Sequence, residues 1–554
     1  MKIVMKNKIF KIAALLVPAL FAGYVAIAQT GTKAAIERAA LENIWTNNTE
    51  NAAGGMVDAP TLMANAFAGY DYKKGDFKPK QVGEKINSLV FHTDGGGIYK
   101  NVGNMYLWGD FTYTKDDISG AKWNATLADP TRDMPFFVAD ENVSKWKNQT
   151  YEMNFKAGFP RLINNHLIIG IAGGYKAALA AKQLDPRPLT RVSDLNVMPS
   201  VVWEFDPSNS LGAVFHYASY REDGSPENVN HLHDQKGWEM VAPGFFNEGV
   251  LASFAGINRL RNYNANSLGG SLQYSFKNEK FKVLISGDYL YRVEDVLCNY
   301  TKPQMSGTVK KTVWGANFAA QYNATEKDRI FFRYRFDNND MRGIEYFQTY
   351  DNTYEIQSYI TDAMFERSKF HKRTQTFNLD YMIAEGDAYT WKFGLNAKSV
   401  KDNFTYYVPE SHKQINNLFF GADVTYNWVI DTKNVFTVNV NGGVNNNSRG
   451  TFEYGGVKEN NKAFTDFALM DFIYQSSDYT KWGFNLTYSF CGLKSLSSLF
   501  VSVGFENFKP SGDNTTWGDA IKKFPFLAPY HGADQEKSIF GRRNLVSVKV
   551  GLTF

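Results

Sequence analysis

The chain closes at 545–554 with Leu-Val-Ser-Val-Lys-Val-Gly-Leu-Thr-Phe. Counting back from Phe554 in twos gives Leu552, Val550, Val548 and Val546, while Thr553, Gly551, Lys549 and Ser547 stand between them. Side chains of a strand alternate between faces, so one face here is wholly apolar and the other is polar, small or charged. The pattern recurs almost to the beginning of the chain with aromatic residues on its apolar side. Trp482, Phe484, Leu486, Tyr488 and Phe490, for example, alternate with Gly483, Asn485, Thr487 and Ser489. One such strand would suit a soluble sandwich. A chain-long series of them predicts an all-β protein, a transmembrane antiparallel up-and-down β-barrel whose last strand closes the sheet.

The facing of the strands follows from one energy. In 330–337, Ile330, Phe332, Tyr334 and Phe336 point one way and Phe331, Arg333, Arg335 and Asp337 the other. An arginine on the lipid face costs roughly 2–4 kcal/mol at the bilayer midplane, and a one-residue slip would expose two of them. The arginines therefore point into the lumen. The same parity places Arg292, Glu294, Asp380 and Lys392 inside as lumen or pore candidates, with Lys282, Asp288, Lys398 and Asp423 near them. Acidic and basic residues are interspersed, which fits either a self-neutralising structural network or a pathway that selects solutes by sign and size.

Connections give an independent check. Short turns are expected at 206–209, 277–280, 324–328, 385–387 and 431–434, and long loops at 116–148, 223–260, 342–369, 448–480 and 509–542. Such alternation is the sidedness of outer-membrane barrels, with short turns in the periplasm and long loops outside. From residue 62 onward the chain offers 18 candidate strands, 16 to 20 being compatible with the pattern, and both termini fall in the periplasm. The last long loop carries Trp517, Ile521, Phe524, Phe526, Leu527 and Tyr530. It is too apolar to stay free in water, so it should cap the barrel, turn inward or bind a partner.

Three segments result: 1–28, a signal peptide; 29–61, an amino-terminal segment that plugs the lumen or packs beneath it in the periplasm; and 62–554, the barrel. Lys2, Lys6, Lys8 and Lys11 precede an apolar run ending in Ala26-Ile27-Ala28, a secretory signal with cleavage expected after Ala28. Beyond it no run of about 18 apolar residues would make a membrane-spanning helix. A short helix is expected over 34–45, with Ile36, Ala40 and Ile44 on one face and Glu37, Arg38 and Glu42 toward solvent. Asn51-Ala-Ala-Gly-Gly after it reads as turn residues. Across 554 residues 15 % are aromatic while mean hydropathy is negative, the composition of lipid-facing residues alternating with lumen residues. A formal charge of +4 at this size does not point to nucleic acid. Cys298 and Cys491 fall at opposite ends of strands and are expected as free thiols.

Chemistry beyond the lumen is sparse. His231, His233 and Asp234 form a weak candidate for a divalent metal, because residues two apart share a face of an extended segment. The other histidines are scattered and none sits in a nucleophile motif; no catalytic residue and no cofactor is expected. Gly95-Gly-Gly97 reads as the end of a strand at a turn.

The Ala-Gln signal end, Trp45 with Asn51-Ala-Ala-Gly, the Tyr- and Phe-rich strands and Phe554 resemble an uncharacterised family of Bacteroidota outer-membrane β-barrel proteins. That resemblance implies residence among the lipids of a Gram-negative outer membrane, with a surface lipoprotein or a TonB-dependent receptor as partner. A fainter likeness is to the long-chain fatty-acid transporter family, which has an asparagine-proline-alanine stretch in an amino-terminal hatch; Asn51-Ala-Ala-Gly lacks the proline. Two functional readings follow. One is a channel or transport component for a small or amphipathic solute, working with an envelope uptake system. The other is a non-conducting surface barrel whose loops dock a lipoprotein, a polysaccharide or another barrel.

Overall fold

A computed structural model describes residues 32–230, 232–251, 260–298, 302–353, 358–493, 498–511, 515–531 and 536–554. The expected signal peptide and His231 lie outside them. Eighteen antiparallel strands, from Met63–Gly75 to Arg543–Thr553, form one sheet in which each strand pairs with its neighbours in the chain. The last strand pairs back onto the first, Thr553 opposite Asn65 and Arg543 opposite Gly75, and closes the ring.

Alternation decides the two surfaces. Val546, Val548 and Val550 are exposed on the outside, as are Phe215, Leu272, Tyr289 and Trp482 on other strands. Thr553, Ser502, Ser489 and Gln273 are buried on the inside. The sheet leaves no edge, so every strand finds its ladder partners within the ring, the condition for crossing hydrocarbon.

Three sequence expectations need correction. The segment 342–369 is not a loop but the end of a long hairpin, Asp328–Asp351 with Ser358–Glu385. Its neighbours pair with it only as far as Ile344 and Ser368, so 345–351 and 358–367 stand beyond the rim as a two-stranded ribbon. Cross-strand ring contacts, Phe347 with Phe365 at 5.7 Å and Tyr350 with Tyr359 at 5.2 Å, hold it. Acidic residues along it disguised the strand pattern. Second, Gly95–Gly97 lies within the strand Lys85–Tyr99 rather than at its end. A Cβ on Gly97 would lie 2.6 Å from Leu62 Cα, so the glycine admits the chain entering the first strand. Third, long and short connections do not alternate throughout: 183–188 and 407–410, at the long-loop end, are short.

The other long connections fold over the mouth. Phe137–Ala139, Gln235–Ala242 and Phe245–Leu251 make a separate three-stranded sheet there, joined by the helix α4 (Leu469–Gln475) with the helical run Ala463–Ala468 before it, and by α5 (Trp517–Lys523). Cys298 and Cys491 are unbonded and sit at opposite ends of their strands.

Facing is testable at the closing strand. Val548→Arg should destabilise the folded barrel by roughly 2–4 kcal/mol and Ser547→Arg, one residue away, should change it little, measured by urea titration in phospholipid vesicles. Equal losses at both positions would contradict the facing.

Candidate functional site

The interior is filled from both ends. At the short-turn end lie three short helices, α1 (Lys33–Glu42), α2 (Ile44–Asn48) and α3 (Gly54–Asp58). Thr32 caps α1 by accepting from Ala35 N at 3.2 Å. Trp45 is buried and donates from its indole to Ser275 Oγ at 3.1 Å, while Asn51 donates to Gln273 Oε1 at 2.9 Å and Ala53 N donates to Ser200 Oγ at 3.3 Å. All three acceptors are lumen-facing wall residues. Asn51-Ala-Ala-Gly-Gly, expected as a turn, leads into α3 because its small residues permit close approach. A Cβ on Gly54 would lie 2.7 Å from the Trp45 ring, and one on Gly55 2.2 Å from the Tyr106 ring. The charges of α1 stay partly open to solvent, as expected, with the Glu37 side chain 39 % exposed, but they also bond to the wall. Glu37 accepts from Tyr389 and Lys392, and Arg38 donates to Glu42 and to the carbonyls of Gly386 and Ala388. Ala40, expected on the buried face, is exposed.

At the other end the folded connections form a lid. Trp123 and Trp238 are fully buried with ring centroids 4.9 Å apart, and their indoles donate to Asp466 at 3.1 Å and Asn461 at 3.0 Å. Three connections thus interlock through two tryptophans. Trp517, Phe524 and Leu527 of the apolar last loop are buried beside Phe464, Leu469 and Phe472.

Buried ion pairs fasten this lid to the wall. Arg132 reaches Glu294 and Glu222, on two different strands, at 2.7 Å each, and its guanidinium lies 4.6 Å from the Tyr263 ring and 5.2 Å from that of Tyr220. Burial alone would lower the pKa of Arg132; the two carboxylates outweigh it and raise the pKa above its ordinary value. Asp140 pairs with Lys182, and Glu239 with Arg261. In α4, burial pushes Asp471 up to about 6, against the backbone N–H of Lys80 and nearby Lys413, Lys78 and Lys80. Sequence reading missed Arg132 and Asp140. The available signal was a lone arginine in the segment holding Trp123, Leu127, Met134, Phe136 and Phe137.

The candidates read from parity all face the interior but do not form one ring. Arg292 and Glu294 belong to the lid attachment, with Arg292 Nη2 2.8 Å from Glu294. Arg335 donates to Asp288 through both terminal nitrogens, at 2.6 and 2.8 Å, and also to Asp337. Arg333 reaches Asp380 at 3.4 Å. Lys392 holds the inner segment through Glu37. Above α2 these groups border a cavity of about 600 Å³, lined by 46–50 from below and by His216, Gln273, Asp288, Asn317, Arg333 and Arg335 among the wall residues. A second cavity, about 330 Å³, lies under the lid beside Met134, Met240, Met341 and Lys372.

His233 and Asp234 are exposed, and the described residues contain no group of three metal-ligating side chains. His92 touches Thr112 Oγ1 at 2.8 Å and Asp94 at 3.0 Å, a hydroxyl–imidazole–carboxylate series on the lumen wall. Catalysis there would also need donors aimed at a developing oxyanion. The surrounding backbone lies in paired strands, with Thr112 opposite His92 and Glu152, so its N–H groups serve the ladder.

Two measurements test the lid attachment. Arg132→Ala leaves Glu222 buried without its cation while Glu294 keeps Arg292, a loss of roughly 3–5 kcal/mol for such sites, and should raise deuterium uptake of 122–143 while the wall strands stay protected. Asp471, with a folded pKa raised to about 6 from 3.8, favours its neutral form when buried. Lid docking should therefore be firmest below the unfolded value and weaken as pH rises through about 6, and Asp471→Asn should flatten that dependence in exchange rates corrected for pH.

Solved structures similar to this chain include one titled Copper transporter OprC (TM-score 0.37, 10 % identity, covering 88 % of this chain and 80 % of that one). Another is the ferric yersiniabactin uptake receptor FyuA from Yersinia pestis (TM-score 0.38, 8 % identity, 89 % and 80 %), and a third a Pseudomonas aeruginosa FadL homologue (TM-score 0.30, 10 % identity, 91 % of each). Scores this low say nothing of a solute. No curated protein matches the chain. A family model does match, over 54–554, beginning at the first residue of α3 and running through the whole barrel to Phe554; the chain belongs to that family, the family of unknown function (DUF6850).

Proposed function

We propose that this barrel is a gated transport component of a Gram-negative outer membrane, passing a small solute between the lid and the inner helices. One observation carries the reading: a cavity of about 600 Å³ with mixed polar and apolar lining lies in the lumen above α2, and both the inner helices and the lid are attached to the wall by side chains rather than by strand ladders. Such attachments separate without breaking the ring. Arg333, Arg335 and Asp288 border that cavity and keep 28–37 % of their side-chain surface exposed, so a solute entering the lumen could reach them. The short turns then face the periplasm and the ribbon of 345–351 and 358–367 faces outward.

The docking reading drew on the apolar last loop, but Trp517, Phe524 and Leu527 are occupied in the lid. A surface lipoprotein or a TonB-dependent receptor would meet the ribbon instead, where Phe347, Met364 and Phe365 are exposed. Outer-membrane lipids cover the apolar outer face.

Conductance in planar bilayers tests the transport reading. The intact protein should be almost closed; Arg132→Ala should give brief openings; Arg132→Ala combined with Trp45→Ala, which frees the inner helices, should conduct steadily. Silence of the double variant, with the barrel still heat-resistant on gels, would show that the lumen is permanently filled.

A further inference from the structure

We propose that the cavity above α2 recognises a neutral, polyhydroxylated solute, an oligosaccharide of a few units. The assignment rests on the transport reading above. Its first support is the chemistry of the lining. Beside Met198, Val214 and Leu290, Asn47, Asn317, Asn378 and Ser286 contribute uncharged amides and a hydroxyl from four separate elements. Amides and hydroxyls both donate and accept, as sugar hydroxyls do, so each contact can form in either direction.

The second support is the state of the charges. Arg335 is committed to Asp288 and Asp337, and the ion pair fills the donor positions that would otherwise capture a carboxylate or phosphate. Arg333 has a single long contact to Asp380, and its Nε is shielded with no hydrogen-bond partner among the described residues. Arg333 and Arg335 face Asp288, Asp337 and Asp380, so neither an anion nor a cation finds an uncompensated partner. A shielded guanidinium N–H beside neutral amides instead suits an ether or hydroxyl oxygen.

An apolar solute fits worse. It would displace water from Asn378, Ser286 and Arg333 and leave them unpaired, each at a cost of about 1–3 kcal/mol. Sites built to bond hydroxyls reject analogues that lack them for the same reason. Size agrees: about 600 Å³ lies within the roughly 300–1,000 Å³ of small-molecule sites.

The test uses the full-length protein and its Arg132→Ala variant, whose loosened lid admits solute. Each is incubated with a mixture of neutral di- to tetrasaccharides, of uronic-acid saccharides of the same lengths, and of short peptides, then analysed by native mass spectrometry. Retention of neutral saccharides above the other two classes is expected, weakened at least tenfold by Asn378→Leu and by Arg333→Met. Retention of peptides or uronates instead, no retention of neutral saccharides, or retention unaffected by both substitutions would overturn the assignment. Parallel flux measurements in vesicles separate the two claims: flux without saccharide retention sinks the ligand class and leaves transport standing, whereas retention without flux does the reverse.

Discussion

Closure of the hydrogen-bonded ring is the constraint on which everything else here depends. In hydrocarbon a backbone N–H without a partner costs several kcal/mol, so the sheet crosses the membrane only if its last strand returns to its first. Once the ring is closed, the pleat dictates the rest. Alternate residues must be apolar toward lipid, which frees the others to be Ser, Asn, Arg or Asp toward the lumen. Irregular backbone is then admissible only at the two ends and within the ring, which is where the lid and the inner helices are found.

The sequence reading was accurate for most of what depends on neighbours in the chain. A period of two is visible locally, so the strands and their facing could be read from alternating apolar and polar residues, and their number to within a strand pair. The inward position of Arg333, Arg335 and Lys392 followed from the cost of placing them in lipid. What could not be read depends on partners far apart in the chain. Glu37 looked unpartnered because its partners, Tyr389 and Lys392, lie some 350 residues away. Arg132 looked like an ordinary loop charge because neither Glu222 nor Glu294 is near it in sequence. The ribbon was mistaken for a loop because its aromatic pairs alternate with acidic residues that, on a strand beyond the rim, meet water rather than lipid.

The two fillings differ in physical character. Inner helices dock through close packing of Gly55 on Tyr106, hydrogen bonds to serine and glutamine, and the part-exposed Glu37–Lys392 ion pair. The lid docks through desolvated ion pairs around an aromatic core. Ion pairs of this kind lose much of their advantage when one partner is displaced, because the other is left in a dry setting, whereas close packing weakens gradually with distance. Motion at the outer end should therefore be switch-like and motion at the inner end graded.

The inner helices also bear on how the molecule is made. They precede the first strand in the chain, yet they lie inside a ring whose seam joins that strand, Met63–Gly75, to the final one, Arg543–Thr553. This pairing spans nearly the whole polypeptide, and contacts of such separation carry the largest loop-closure cost. Trp45 also depends on the wall for its partner, because Ser275 lies on the strand Arg261–Lys277, 230 residues further along the chain. Assembly thus has a preferred order: the amino-terminal helices settle against the growing sheet, the wall curls around them, and the carboxyl-terminal strand acts as the fastener, so a chain released before its final residues would carry its stopper but no vessel.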